Sequence, residues 1–527
     1  MRGGLVLLSV VSCLATFLLR DAQNQTSDSG LYKATASGVC MYDLPAEFNV
    51  GLKDSKFRTT EPDFGPKFVS ANSVPDAHFL GSYATNQFSL EAIFYTRFVQ
   101  VASHILHSSQ CKAFYLPYFV SWETSAVAGQ WLEVDRPEMD DKAIGAATHI
   151  HEKPHFIVMG RTAHNMRSFL ERTAHLKNLI KFTIENTYPD KFSNVVAVPY
   201  PTWFHYDPTL DEHVRSASAS ARLVIQQAAY GYNCNHKIDV NNYFEALSSE
   251  CSWKNSCSTS VAVSSDPAPG CQKELFGRFQ CVDSKFQTSW AFKAGSGCGT
   301  QVAASTNLLG MQCGEAWQAH IRLSCDGHTV GPCWLSGSCT HKRPGALVSF
   351  AGSVKPREVV RTQCYEHCRS RPNHCALYDT GLRADSSDDT FFENKAANMY
   401  KMILASTFCL QPPGDTPTRK GIFDSLTLGC IPVIFDQNSM AWYEVHLPNW
   451  QQVAVFVPSA KLAQQSFNVV DYLVDLAGRM PGLIKRKQQT IADIAYRLQF
   501  SRTPSAHRGH DAFEQSLDYV LQWTPEA

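Results

Sequence analysis

Thirty residues near the carboxyl end, Ser406 to Phe435, constrain the fold most. They read as an apolar run from Thr407 to Leu410, a Pro412-Pro413-Gly414 break, a helical pattern from near Thr418, a Gly429 stop and a second apolar run from Ile431 to Phe435. A strand, a helix and a second buried strand in this order make a βαβ unit of a parallel sheet. The Pro-Pro-Gly break stops the first strand and turns the chain at the carboxyl end of the sheet, where α/β folds bind ligands. Free backbone N–H groups at the start of the helix, with Arg419 in its first turn, suit a diphosphate. Asp424, about one and a half turns further on, can accept hydrogen bonds from vicinal hydroxyls such as those of a ribose. An anion pocket beside a carboxylate describes a nucleotide-sugar site, although an Arg at a helix start and an Asp inside a helix are also ordinary surface charges.

The same alternation recurs through most of the chain. Val39 to Tyr42, Ala113 to Leu116, His155 to Met159, Val195 to Val198 and Ala346 to Phe350 read as strands, Phe88 to Leu106 as a helix, and Val469 to Trp523 as helical. At 527 residues, two or three domains are expected. With 47 Lys plus Arg against 48 Asp plus Glu, the formal net charge of −1 leaves no basic excess for a nucleic acid, and none is expected as partner. The 18 cysteines are unevenly spread, ten of them between Cys234 and Cys339. That points to an oxidising compartment and a disulfide-stapled all-β module set into a less cysteine-rich protein. Gly3 to Leu19 is an apolar run between Arg2 and Arg20, and Asn24-Gln25-Thr26 is a glycosylation sequon. An uncleaved type II anchor is favoured over a cleaved signal peptide, because Asp21-Ala22 is a poor cleavage site.

The expected division is therefore an anchor or signal at 1–20, a stem at 21–37, an amino-terminal α/β domain at 38–212, a cysteine-rich insert at 213–342 and a carboxy-terminal α/β domain at 343–527.

The stretch from Phe408-Cys-Leu-Gln-Pro-Pro-Gly-Asp415 on to Phe435 resembles the donor-binding signature of the exostosin family of glycosyltransferases, in the form of the plant xyloglucan galactosyltransferase branch. Met41-Tyr-Asp-Leu-Pro45, Gln87 to Phe94, Phe114 to Tyr118, His155 to Arg161, Val198 to Thr202, Ser349 to Gly352 and His510 to Phe513 occur in the order that branch shows. The resemblance implies a GT-B fold, in which two Rossmann-like domains face a cleft. The carboxy-terminal one would bind a UDP-sugar through Gly352, Gly414, Asp415, Thr418, Arg419 and Asp424, and the amino-terminal one a polysaccharide acceptor, with Arg161 and Tyr200 on the acceptor side. It also implies inversion at the sugar carbon by direct attack of an acceptor hydroxyl. That needs a general base and stabilisation of the departing UDP. Asp43 and Glu185 rank first as the base and His155 next. No Asp-x-Asp motif stands in strand context, Asp388-Asp389 reading as a solvated turn, and no metal is expected. Two departures matter: Pro154 stands where relatives usually carry Asp, and His164-Asn165 where they carry Trp-Asp.

In relatives the segment between Phe204-His205 and Arg343-Pro344 is a short linker. Here Ala229 to Cys234, Cys251 to Cys257, Asp266-Pro267 and Gly270 to Cys281 resemble the galactose-binding lectin domain first known from sea urchin eggs. The reading is thus a Golgi-lumen, single-pass glycosyltransferase, or alternatively a secreted one, that moves a sugar, galactose from UDP-galactose foremost, onto a cell-wall or matrix polysaccharide. The rival is a catalytically weak glycan-binding protein that keeps the fold, motivated by Pro154, Asn165 and the insert.

Overall fold

A computed structural model describes residues 30–54, 64, 65, 67, 81–122, 136–211, 222–230, 244–252, 256–263, 275–282, 287–294, 317–324, 332–336, 346–353, 358–379, 389–505 and 507–524. The apolar run Gly3 to Leu19 and the sequon at Asn24 lie outside the described residues, as do Cys234 and the Asp266-Pro267 and Gly270 positions of the lectin-like pattern. Among the described residues no helix is long and apolar enough to cross a membrane.

Two sheets carry the α/β halves. The first has seven strands, β1 (Leu31–Ala34), β2 (Val39–Met41), β3 (His104–His107), β4 (Ala113–Tyr115), β5 (His155–Thr162), β6 (Leu179–Glu185) and β7 (Val195–Ala197), in the order β3-β1-β2-β4-β5-β6-β7. From β2 to β7 all neighbours are parallel, whereas β1 runs antiparallel to both β2 and β3. Every residue of β6 is buried, as a strand covered on both faces requires. Among the described residues of the inserted region β8 (Arg222–Tyr230), β10 (Leu275–Val282) and β11 (Gln287–Ala294) form an antiparallel sheet and β9 (Ser256–Val263) pairs with β12 (Trp317–Ser324), accompanied by an α-helix, Phe244–Cys251. The other sheet is wholly parallel, β14-β13-β15-β16-β17, built from β13 (Val348–Gly352), β14 (Cys375–Asp379), β15 (Phe408–Gln411), β16 (Ile431–Ile434) and β17 (Val455–Phe456).

Four expectations change. The stem ends earlier, because Leu31–Ala34 is a strand whose Tyr32 and Ala34 are buried while Leu31 and Lys33 point outward. Four residues of period two in a polar stretch are too few to register by pattern. The first helix spans Leu90–Val101 instead of running to Leu106. Ile105 and Leu106 keep the helical spacing by coincidence; their backbone instead completes the sheet by pairing with β1, which leaves Ile105 61% exposed. The insert, expected to be all β, includes the helix Phe244–Cys251. Its end also belongs to the main core: Trp334 is buried against Phe204, Tyr206 and Tyr496 and donates its indole N–H to the Thr427 carbonyl.

Three disulfides lie in the two halves, Cys40–Cys111, Cys368–Cys375 and Cys409–Cys430. The first and third staple neighbouring parallel strands at β2/β4 and β15/β16.

The final helix, Ala512–Gln522, crosses from the second half onto the first. Phe513 packs edge-on against Phe94, Tyr519 against Phe182, and Asp511 accepts a hydrogen bond from Arg97 at 3.3 Å, both side chains fully buried. Asp511 also caps the helix reciprocally with Glu514 and takes the Ser501 N–H. Removing one partner of a buried ion pair strands the other charge, so Arg97→Ala should cost about 3–5 kcal/mol. Urea unfolding followed by tryptophan fluorescence checks this; a loss below about 1 kcal/mol, the scale of an exposed pair, would contradict it.

Candidate functional site

The carboxyl end of β6 in the first sheet meets that of β15 in the second. After β15, Pro412 to Thr418 form a loop and the helix Lys420–Thr427 begins, with Arg419 at its N-cap in extended conformation rather than inside its first turn. Two glycines shape this geometry. A Cβ on Gly421 would come to 2.5 Å from Gln411 Oε1, so a larger residue there would have to displace the buried Gln411 side chain. Gly429 ends the helix with φ +78° and lets the chain turn directly into β16.

Arg419 faces back across the sheet. Its guanidinium donates to the Pro412 carbonyl at 3.3 Å and the Ala351 carbonyl at 3.4 Å, and a Cβ on Gly352 would lie 3.7 Å from it. Beside it stands Arg361, from the helix Val359–Arg369, donating to the Ser353 and Pro413 carbonyls and paired with Glu358 at 3.3 Å. Burial, with the Arg361 charge next, lowers the Arg419 pKa to about 10, so it stays cationic at neutral pH. Arg361 nearly touches the Gly414 backbone, where a Cβ would meet its Nη2 at 2.9 Å. Gly352, Gly414, Arg419 and Arg361 are therefore brought together as a two-arginine lining at the end of β13 and β15. Arg361 was missed, because an Arg within a helical pattern has no sequence mark that separates it from a solvated one.

Thr418 is buried in the same loop and Asp415 is exposed on it. Asp424 sits differently from expectation. It is 2% exposed, and its carboxylate takes the Lys420 ammonium at 2.8 Å on both oxygens and the Trp203 N–H at 2.9 Å. The Lys420 ammonium also stands 4.1 Å from the centre of the Trp203 ring. This carboxylate thus ties the second half to the chain leaving the first.

Glu185, at the end of β6, is the acidic residue that the first half brings to this loop. Its Oε1 accepts the Tyr200 hydroxyl and, at 2.9 Å, the Thr416 hydroxyl from the Pro412–Thr418 loop, while Oε2 is buried with no hydrogen-bond partner among the described residues. Burial pushes its pKa up to about 7; the two hydroxyls pull it down and the Asp415 carboxylate adds to the rise. Tyr443, whose hydroxyl donates to the Ile184 carbonyl at 2.6 Å, packs behind it.

The other expected bases are elsewhere. Asp43 is exposed after β2, within electrostatic reach of Tyr95; β2 lies three strands from β6, about 14 Å away. His155 is fully buried at the opposite, amino end of β5, where Nδ1 faces the Lys153 carbonyl at 2.8 Å and Nε2 the Tyr42 hydroxyl at 2.9 Å. Burial takes its pKa down to about 4, which makes it a neutral core imidazole. Arg161 lies at the end of β5, its guanidinium 4.3 Å from the Phe88 ring centre and beside Glu91. Glu91, also missed, is fully buried and accepts the Ser121 N–H at 2.8 Å; burial raises its pKa to about 8. At the two departures, Asn165 accepts the Thr162 hydroxyl at 2.7 Å and His164 meets the Tyr188 hydroxyl at 2.8 Å, while the Pro154 carbonyl takes the Phe114 N–H.

Residues 331–473, which contain the loop, both arginines and Asp424, match the exostosin GT47 domain. Over those residues the chain carries an exostosin GT47 domain. The chain is 24% identical over 533 residues to an Arabidopsis thaliana protein named Probable xyloglucan galactosyltransferase GT15, covering 92% of this chain and 81% of that one. It is 25% identical over 460 residues to Xyloglucan-specific galacturonosyltransferase 1 of the same plant, covering 83% of this chain and 50% of the relative, so the chain spans about half of that relative's length. Xyloglucan galactosyltransferase MUR3, also from Arabidopsis thaliana, is 29% identical over 184 residues, 33% of this chain and 28% of that protein. A solved GtfA/B complex aligns with 34% of this chain and 37% of its own at 12% identity and a TM-score of 0.18, too low to carry an argument.

The exostosin loop predicts anion binding. A charge-assisted hydrogen bond is worth about 1.5–3 kcal/mol. Arg419→Ala and Arg361→Ala should therefore each weaken pyrophosphate binding by roughly ten- to hundredfold in isothermal titration calorimetry. Unchanged affinity in both would remove the loop as the anion site.

Proposed function

We propose that this protein is an inverting glycosyltransferase of GT-B type. It transfers galactose from UDP-galactose to a hydroxyl of a cell-wall or matrix polysaccharide in the Golgi lumen, where the amino-terminal apolar run holds it to the membrane. The observation that carries the reading is the meeting of opposite chemistries across the two sheet ends: two arginines line one side, and a buried carboxylate with one unpartnered oxygen stands on the other.

The diphosphate is placed on Arg361, Arg419 and the free N–H groups at the start of Lys420–Thr427, which meet the charge that grows on the departing UDP. Ribose hydroxyls take the place of the Lys420 ammonium on Asp424. The acceptor lies on the first half near Arg161 and Tyr200, and Glu185 takes the proton of the attacking hydroxyl. Its pKa near 7 keeps it both ionised enough to accept a proton at neutral pH and basic enough to hold it. Two relatives are named galactosyltransferases and one a galacturonosyltransferase, so galactose is the proposed sugar and galacturonic acid the alternative that a panel separates.

UDP release from a panel of UDP-sugars, with xyloglucan as acceptor, tests the reading. UDP-galactose should give the fastest turnover, and Glu185→Gln should lower it by about 10²- to 10⁴-fold with UDP affinity retained. Turnover with no UDP-sugar, or full turnover by Glu185→Gln, would refute the reaction or the base respectively.

A further inference from the structure

We propose that Thr416 is a positioning residue that links the sugar-nucleotide loop to the general base, holding Glu185 in place in both of its protonation states. The inference rests on the reading of Glu185 as base and assigns a role to a residue that has none in it. Thr416 Oγ1 lies 2.9 Å from Glu185 Oε1 and 3.2 Å from the Thr418 carbonyl, and it carries one proton for the two acceptors. When Glu185 is ionised, that proton is donated to the carboxylate. When Glu185 has taken a proton on Oε2, Oε1 is the carbonyl oxygen of the acid and still accepts the Thr416 hydroxyl, or the Thr416 proton turns to the Thr418 carbonyl and the carboxyl O–H rotates to Thr416 Oγ1. Either arrangement leaves one hydrogen bond across the cleft, so the base does not swing away after accepting its proton.

The contact is also the place where the loop bears on the base. Thr416 lies between the exposed Asp415 and the buried Thr418, immediately before Arg419, so a ligand that settles on the arginines bears on the segment that holds Glu185. The titratable groups facing Glu185 are Tyr200 from the chain after β7, Asp415 from the loop and Tyr443 from behind. Of these, Tyr200 donates to the same oxygen as Thr416, and neither tyrosine ionises near neutral pH, since burial raises both. Loss of the Thr416 hydroxyl takes one donor from the ionised carboxylate and raises its pKa further.

The sign is fixed. Turnover needs ionised Glu185, so kcat/KM rises with pH through about 7. Thr416→Val should move this acidic limb to higher pH by roughly one unit, with about tenfold less activity at pH 6 and near-parent activity at pH 9. Thr416→Ser, which keeps the hydroxyl, should leave the limb where it is. UDP affinity, measured by calorimetry, should stay within about twofold in both. A uniform loss at every pH, or an unmoved limb in Thr416→Val, would overturn the role of Thr416, as would a displaced limb in Thr416→Ser. Undiminished turnover in Glu185→Gln would instead overturn the base itself.

Discussion

The Asp424 carboxylate is the contact on which the rest of the cleft depends. Buried at 2% exposure, it is satisfied by Lys420 and the Trp203 N–H, and those partners come from the two sides of the molecule. Burial raises its pKa, and the Lys420 charge and the hydrogen bonds from Lys420 and Trp203 oppose that rise without cancelling it. Together with the Arg97–Asp511 pair and the Ala512–Gln522 helix, it fixes how the end of the second sheet stands against the first. Without that registration, Thr416 would not reach Glu185, and a loop of arginines would face no acceptor-side carboxylate.

Burial then assigns the chemistry. Glu185 and His155 both sit in the first sheet and both are shielded from water, yet burial moves them in opposite directions, up to about 7 for the acid and down to about 4 for the imidazole. The carboxyl is left with an unpartnered oxygen at a strand's carboxyl end, whereas the imidazole has both nitrogens engaged at a strand's amino end. Position along the strand therefore separates a candidate base from a core residue, in keeping with where α/β folds place ligands.

Much of this was legible in the sequence, because it is local. The strand, loop, helix and strand between Thr407 and Phe435 are set by Pro412-Pro413, Gly429 and two apolar runs, and the structure follows them within two residues. Glu185 could be nominated from the family resemblance, which puts an acidic residue at its position. What was not legible is what depends on distant partners. The β1 and β3 strands exist because each completes the other's edge, and nothing in Leu31–Ala34 or His104–His107 taken singly says so. The return of the last helix to the first sheet, the burial of Glu91, and the presence of Arg361 beside Arg419 are likewise products of packing over long sequence separations. Asp424 was singled out for good local reasons, but its present partners, Lys420 one turn away and Trp203 more than two hundred residues away, appear only in three dimensions.

A crystal structure of the protein with UDP bound is the most direct test of the central claim. The account predicts the diphosphate between Arg361 and Arg419 at the carboxyl ends of β13 and β15, with the outer phosphate on the side of the cleft that carries Glu185. Density for UDP at any other place, or a diphosphate that touches neither arginine, would contradict it.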